Sequence, residues 1–133
     1  MEDIFKVSRD KRRAKDLYSM AKERLEEIIP ALPQDKFYKI IEEYYEVIIQ
    51  LITSLMYNEG YKTLSHVGLI EYLSKNYPEF EKREIILIDS LRKLRHGTVY
   101  YGKKTEMEFL INHEETIKIV INKLIVLVKK KIE

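Results

Sequence analysis

Ala14, Leu17, Ala21, Leu25 and Ile28 recur at spacings of three and four, the period of one helix face. This first segment begins near Asp10 and is stopped by the PALP run, residues 30–33, because proline cannot continue a helix and disfavours helical backbone in the residue before it. A second segment, from about Gln34 to Asn58, carries Phe37, Ile41, Tyr44, Ile48, Leu51, Ile52 and Leu55 as its main stripe. Ile40, Val47, Ile49 and Met56 lie outside that stripe. A helix apolar this far round is predicted to be central in a bundle or also buried against another chain. Gly60 is placed to end it in the left-handed conformation.

The third segment, residues 63–78, shows Leu64, Val67, Leu69 or Ile70, and Leu73 at helical spacing. Thr63 or Ser65 can cap its start, and Pro78 follows its end. His66, in the first turn, reads as a solvent-facing or capping side chain. The fourth segment begins near Phe80 and reaches the stretch RKLRHGTVYYG, residues 92–102. The fifth runs from about Glu106 to Ile132, and its terminal Lys129, Lys130 and Lys131 complement the helix dipole. No segment alternates convincingly, so no strand is predicted. The expected fold is all-α: an up-and-down four-helix bundle with one additional short helical element, occupying residues 1–133 as a single domain.

Composition narrows the function classes. The chain has 133 residues, 45% apolar and 35% charged, which fits one globular domain with a real core. Its net charge of +2 comes from 24 basic and 22 acidic residues. That balance makes no whole-surface case for nucleic acid, only for a local patch. The basic run Lys11, Arg12, Arg13, Lys15 reads as a solvated helix face, with phosphate contact as the sharper alternative. There is no cysteine, which removes disulfides, thiolate catalysis and zinc–thiolate sites. His66, His96 and His113 are scattered, without HxxxH or HExxH spacing, so no metal or other cofactor is expected. The N-terminal residues lack an apolar signal-peptide core, and no apolar run approaches a membrane span. A cytoplasmic location is expected. The chain is rich in Ile, Lys and Glu, with Gln34 and Gln50 its only glutamines, a bias found in thermophile proteins.

Residues 92–102 are the candidate site. Leu87, Ile88, Leu91 and Leu94 share a helix face, and Arg95 lies four residues beyond Leu91 on the same stripe. A guanidinium there needs a partner, because an unpaired buried ion costs several kcal/mol. Glu42, Glu43 or Glu46 of the second helix, or an anionic ligand, are the candidates. Asp89, Arg92 and His96 occupy the neighbouring flank. Tyr100 and Tyr101 follow, offering a ring face for a base and a phenol for phosphate, while Arg92 and Arg95 offer forks for phosphate or carboxylate. The predicted ligand-binding set is therefore Arg92, Arg95, Tyr100 and Tyr101.

Two stretches together, EEYYEVIIQLITSLMYNEGYKTLSHVGLIEYL (residues 42–73) and LRKLRHGTVYYG (residues 91–102), followed by a long last helix, resemble the HEPN family. HEPN domains are small helical modules of toxin–antitoxin and RNA-processing systems. The resemblance implies RNA or nucleotide binding, metal-independent endoribonuclease chemistry and a homodimer whose motif arginines face one another across a cleft. It further implies that Arg95 and His96 open the family motif R-x(4–6)-H. The motif's closing histidine would fall where this chain has Tyr100, Tyr101 and Gly102. Arg95, His96 and Tyr100 are thus the expected catalytic set, with any cleavage weak. Some members pair with a small nucleotidyltransferase that modifies a tyrosine near the motif. The alternative expectation is accordingly a non-catalytic interaction module partnered by such an enzyme.

Overall fold

The computed structural model describes residues 4–96 and 102–133. Along them run β1 (Ile4–Lys6), α1 (Lys11–Glu23), α2 (Phe37–Glu59), β2 (Tyr61–Thr63), α3 (His66–Asn76), α4 (Lys82–Arg95) and α5 (Lys103–Ile132). The helical expectation holds, but the absence of strands does not. β1 and β2 pair antiparallel, with Phe5 opposite Lys62. Each strand is three residues long, too short for a period-two pattern to show in the sequence.

Local signals set the helix ends. Asp10 caps α1 by accepting from the Arg13 amide at 3.0 Å. Ser65 does the same for α3, accepting from the Gly68 amide at 3.0 Å. At the start of α4, Glu84 accepts from the Glu81 amide at 2.8 Å and from Lys123 Nζ of α5 at 2.7 Å. Burial pushes the Glu84 carboxyl up, but Lys123 and the Glu81 amide prevail and hold it below the usual range. Beyond α1 the chain continues through a π-helical turn, Arg24–Ile28, and one last turn, Ile29–Ala31. A π turn inserts one residue into the helical register. Ile28, expected on the inner face, is therefore exposed, and Ile29 packs on the core instead. Leu32 is extended (φ −74°, ψ 142°), as the residue before Pro33 should be.

α2 is the centre of the molecule and packs against α1, α3, α4 and α5. Val47, Ile49 and Met56, off the main stripe, are buried within the chain along with Ile48, Leu51, Ile52 and Leu55. Its apolar width is thus absorbed internally and no longer argues for a second chain. α1 approaches α2 on Ala14 and Ala21, both fully buried. Ser54 of α2 donates to the Ala14 carbonyl at 2.6 Å in this contact.

Gly60 ends α2 with φ 86°, a left-handed conformation that costs other residues about 1–2 kcal/mol. A Cβ there would lie 2.9 Å from the Val7 carbonyl oxygen. That carbonyl belongs to the segment linking β1 to α1, whose Val7 amide donates to Gly60 at 2.9 Å. Gly60→Ala is expected to lower stability by at least about 1–2 kcal/mol, read as a shift in denaturant midpoint at constant slope. An unchanged midpoint would mean that this corner relaxes at no cost.

Candidate functional site

The C-terminal end of α4, the N-terminal end of α3 and the face of α2 carrying Glu42, Tyr45 and Glu46 meet at one place. Leu91 is fully buried there and Leu87 and Ile88 lie beside it, so α4 presents Arg92, Arg95 and His96 around the rim of the contact. Arg95 was expected on the buried stripe. Its side chain is 38% exposed. The four-residue step from Leu91 leaves it about 40° off that residue's direction, enough for its long stem to carry the charge to the edge.

Two of the three carboxylates proposed as its partners are there. Arg95 Nε lies 3.7 Å from Glu42 Oε2 and 3.6 Å from Glu46 Oε1. The third, Glu43, points the other way and pairs with Arg24 of the π turn at 2.6 Å. The Arg95 separations are ion-pair distances, longer than hydrogen bonds. The guanidinium is therefore held by charge, without a hydrogen bond to either carboxylate. Arg92 donates through Nε to Asp89 Oδ1 at 2.7 Å, as its spacing predicted. This pair holds the Asp89 carboxyl below its usual range, the Arg92 hydrogen bond being the main cause.

His96 caps the end of α4 and faces a residue the sequence reading set aside. Its Nε2 lies 3.2 Å from Nδ1 of His66, with ring centroids 4.9 Å apart. The same Nδ1 lies 2.8 Å from the Tyr45 hydroxyl. Tyr45 is fully buried, and burial raises its phenol well above the usual value. It therefore stays protonated and donates to His66. His66 is not solvent-facing, and Ser65 holds the capping role. Burial, chiefly, lowers its pKa; the charges of His96, Arg95 and Arg92 add to that, and Glu46 opposes it. Neutral His66 has a single lone pair at Nδ1, which the nearer Tyr45 phenol fills first at 2.8 Å; His96 Nε2, at 3.2 Å, can at most share it. A hydrogen bond on one ring nitrogen sets the proton on the other. Sharing the His66 lone pair puts a proton on His96 Nε2, at the exposed end of α4.

No spacing rule connects His66 to His96, which are 30 residues apart. The available signal was weaker: both histidines sit at helix ends. Tyr100 and Tyr101 lie outside the described residues. The remaining expected members, Arg92, Arg95 and His96, do come together. Among the described residues no helix is long and apolar enough to cross a membrane. Comparison with protein-family models, with characterised proteins and with solved structures finds no match for this chain.

Proposed function

We propose that this chain is a HEPN-like RNA- or nucleotide-binding protein, of toxin–antitoxin or RNA-processing type, with weak metal-independent endoribonuclease activity. The observation that carries the reading is His96, set 3.2 Å from His66 and beside two guanidiniums. A phosphodiester needs cationic donors on its non-bridging oxygens and a group that moves a proton. Arg95, whose N–H groups are not committed to Glu42 or Glu46, supplies the first, helped by Arg92. His96 Nδ1 supplies the second. A homodimer belongs to this reading.

The test is RNA binding by Arg95→Ala at fixed low salt, with melting temperature measured alongside. Charge-assisted hydrogen bonds contribute about 1.5–3 kcal/mol each, so affinity should fall about ten- to a hundred-fold without loss of fold. A folded Arg95→Ala that binds RNA as the parent does would overturn the reading. One observation favours the second reading, a non-catalytic interaction module partnered by a small nucleotidyltransferase. Ile111, Ile119 and Val126 are exposed on α5 and fall on one side of it at spacings of eight and seven. Charged substitutions there that abolish partner binding and leave RNA binding intact would support that module.

A further inference from the structure

The histidine that orients His96 is also the wall of a pocket. A pocket of about 230 Å³ opens between α2 and the corner joining β2 to α3, and His66 lines it. Its floor is apolar, formed by Ile49, Met56 and Leu69, and Tyr57 and Tyr61 stand at its sides. The volume lies below the roughly 300–1,000 Å³ of sites that enclose a drug-sized ligand. It fits one heterocyclic ring system and leaves a sugar and phosphate outside. Aromatic walls over an apolar floor are the surroundings in which unstacked RNA bases are held. The shared His66 puts the pocket next to the arginine cluster, as a base lies next to its own phosphate.

The polar rim has a definite sense. Thr53 donates its hydroxyl proton to the Ile49 carbonyl at 2.7 Å. Thr63 and Ser65 instead accept, from the Ser65 amide at 3.3 Å and the Gly68 amide at 3.0 Å. Each hydroxyl keeps one proton and one lone pair, so either can donate or accept. Lys62, on the same rim, is exposed and adds an ammonium with three further donors. Lys62 is thus the rim group that can only donate, beside two hydroxyls that adapt to it.

We propose that this pocket is a nucleobase subsite selecting a base with a carbonyl at C4 or C6, uracil or guanine, over cytosine and adenine, which carry an amino group there. A donor-rich rim complements uracil O4 and guanine O6, and lysine on guanine O6 and N7 is a recurrent pairing. Facing the amino group of adenine or cytosine, the Lys62 ammonium would set donor against donor. This proposal rests on the neighbouring arginine cluster being a phosphate site, and its test separates the two.

The experiment titrates the four ribonucleoside 5′-monophosphates and the four free nucleosides into the whole protein, following amide shifts of residues 61–66. Uridine and guanosine monophosphates should bind about tenfold more tightly than the cytidine and adenosine forms. Lys62→Met should erase most of that preference and Lys62→Arg should restore it, both without change in melting temperature. Arg95→Ala should weaken all four monophosphates alike and leave the nucleosides unaffected. Equal binding of the four bases, or a preference that survives Lys62→Met, overturns the subsite while leaving the phosphate reading standing. Nucleosides that bind with the expected preference while Arg95→Ala leaves the monophosphates unchanged sustain the subsite and sink the phosphate reading. No shift with any of the eight compounds overturns the subsite outright.

Discussion

His96→Ala should lower the rate of RNA cleavage by about 10²–10⁴-fold, the range for removing a general acid or base, while RNA affinity stays within a few-fold of the parent. The reason is the division of roles proposed for the end of α4, in which Arg92 and Arg95 hold charge and His96 handles the proton. His66→Ala should act through His96, because it removes the acceptor 3.2 Å from His96 Nε2. A displaced catalytic group costs up to about 10²-fold, and that loss should fall on kcat with KM little changed. His66→Gln, whose amide oxygen can accept, should recover part of it.

The pH profile distinguishes positioning from mere packing. Protonated His66 carries a proton on Nδ1 and can no longer accept from His96. Its folded pKa is depressed, mainly by burial, below the ordinary value near 6.5. The part of cleavage that depends on neutral His66 should therefore survive pH 6.5 and be lost at its lower, folded value. Stability follows the same sign. The unfolded chain binds the proton more readily, so the contribution of neutral His66 is complete above the unfolded value and is lost as pH falls through the folded one. Glu46 of α2, and Arg92, Arg95 and His96 of α4, are the charges that bear on this titration. His66→Gln should flatten the acid side of the denaturation-midpoint curve. An acid limb that stays put in His66→Gln would mean that another group controls it.

How far the chain could be read in advance differed between fold and site. The central place of α2 was legible because apolar residues lie all round it, and only a helix surrounded by others can bury them. Gly60, Ser65 and Pro33 mark their boundaries by local chemistry, which needs no tertiary knowledge. The β1–β2 pair was not legible, since six residues carry no period and the partners lie on either side of two helices. The π turn was hidden because nothing in Arg24–Ile28 departs from an ordinary helical pattern. In the site, Arg92–Asp89 follows from spacing along a single helix. Arg95's carboxylates could be narrowed to three but not to two, because that choice depends on the rotation of α2 about its axis. His66 escaped entirely, since only the packing of α3 against α2 and α4 brings it to His96.

That rotation of α2 underlies the largest expected effect on stability. Arg24→Ala should destabilise the protein by about 3–5 kcal/mol, the cost of breaking a buried pair and leaving one charge behind. Glu43 is 4% exposed. Arg24 donates to it at 2.6 Å and, through Nε, to the Gln50 side chain at 3.3 Å. Lys39 Nζ is a secondary partner at 3.6 Å, but it is itself 41% exposed and nearer to Glu42, at 2.9 Å. It should soften the loss towards the lower end of that range. For a chain of this size the loss corresponds to a fall of roughly 10–15 °C in melting temperature. Replacing both partners, Arg24→Leu with Glu43→Leu, should return stability close to the parent or above it, because no buried charge is then left unpaired. Arg24→Leu and Glu43→Leu, each alone, complete a cycle with that double, and a coupling energy under about 0.5 kcal/mol would contradict the pairing. The same cycle bears on function. Glu43 faces the π turn after α1 while its neighbours Glu42 and Glu46 face Arg95, so the Arg24–Glu43 contact helps set the turn of α2 that brings those carboxylates to the site. The double leucine variant should therefore regain stability but bind RNA with altered affinity, because the rotation is then held by packing alone. Full recovery of both properties would show that the core of α2 fixes its rotation without the ion pair.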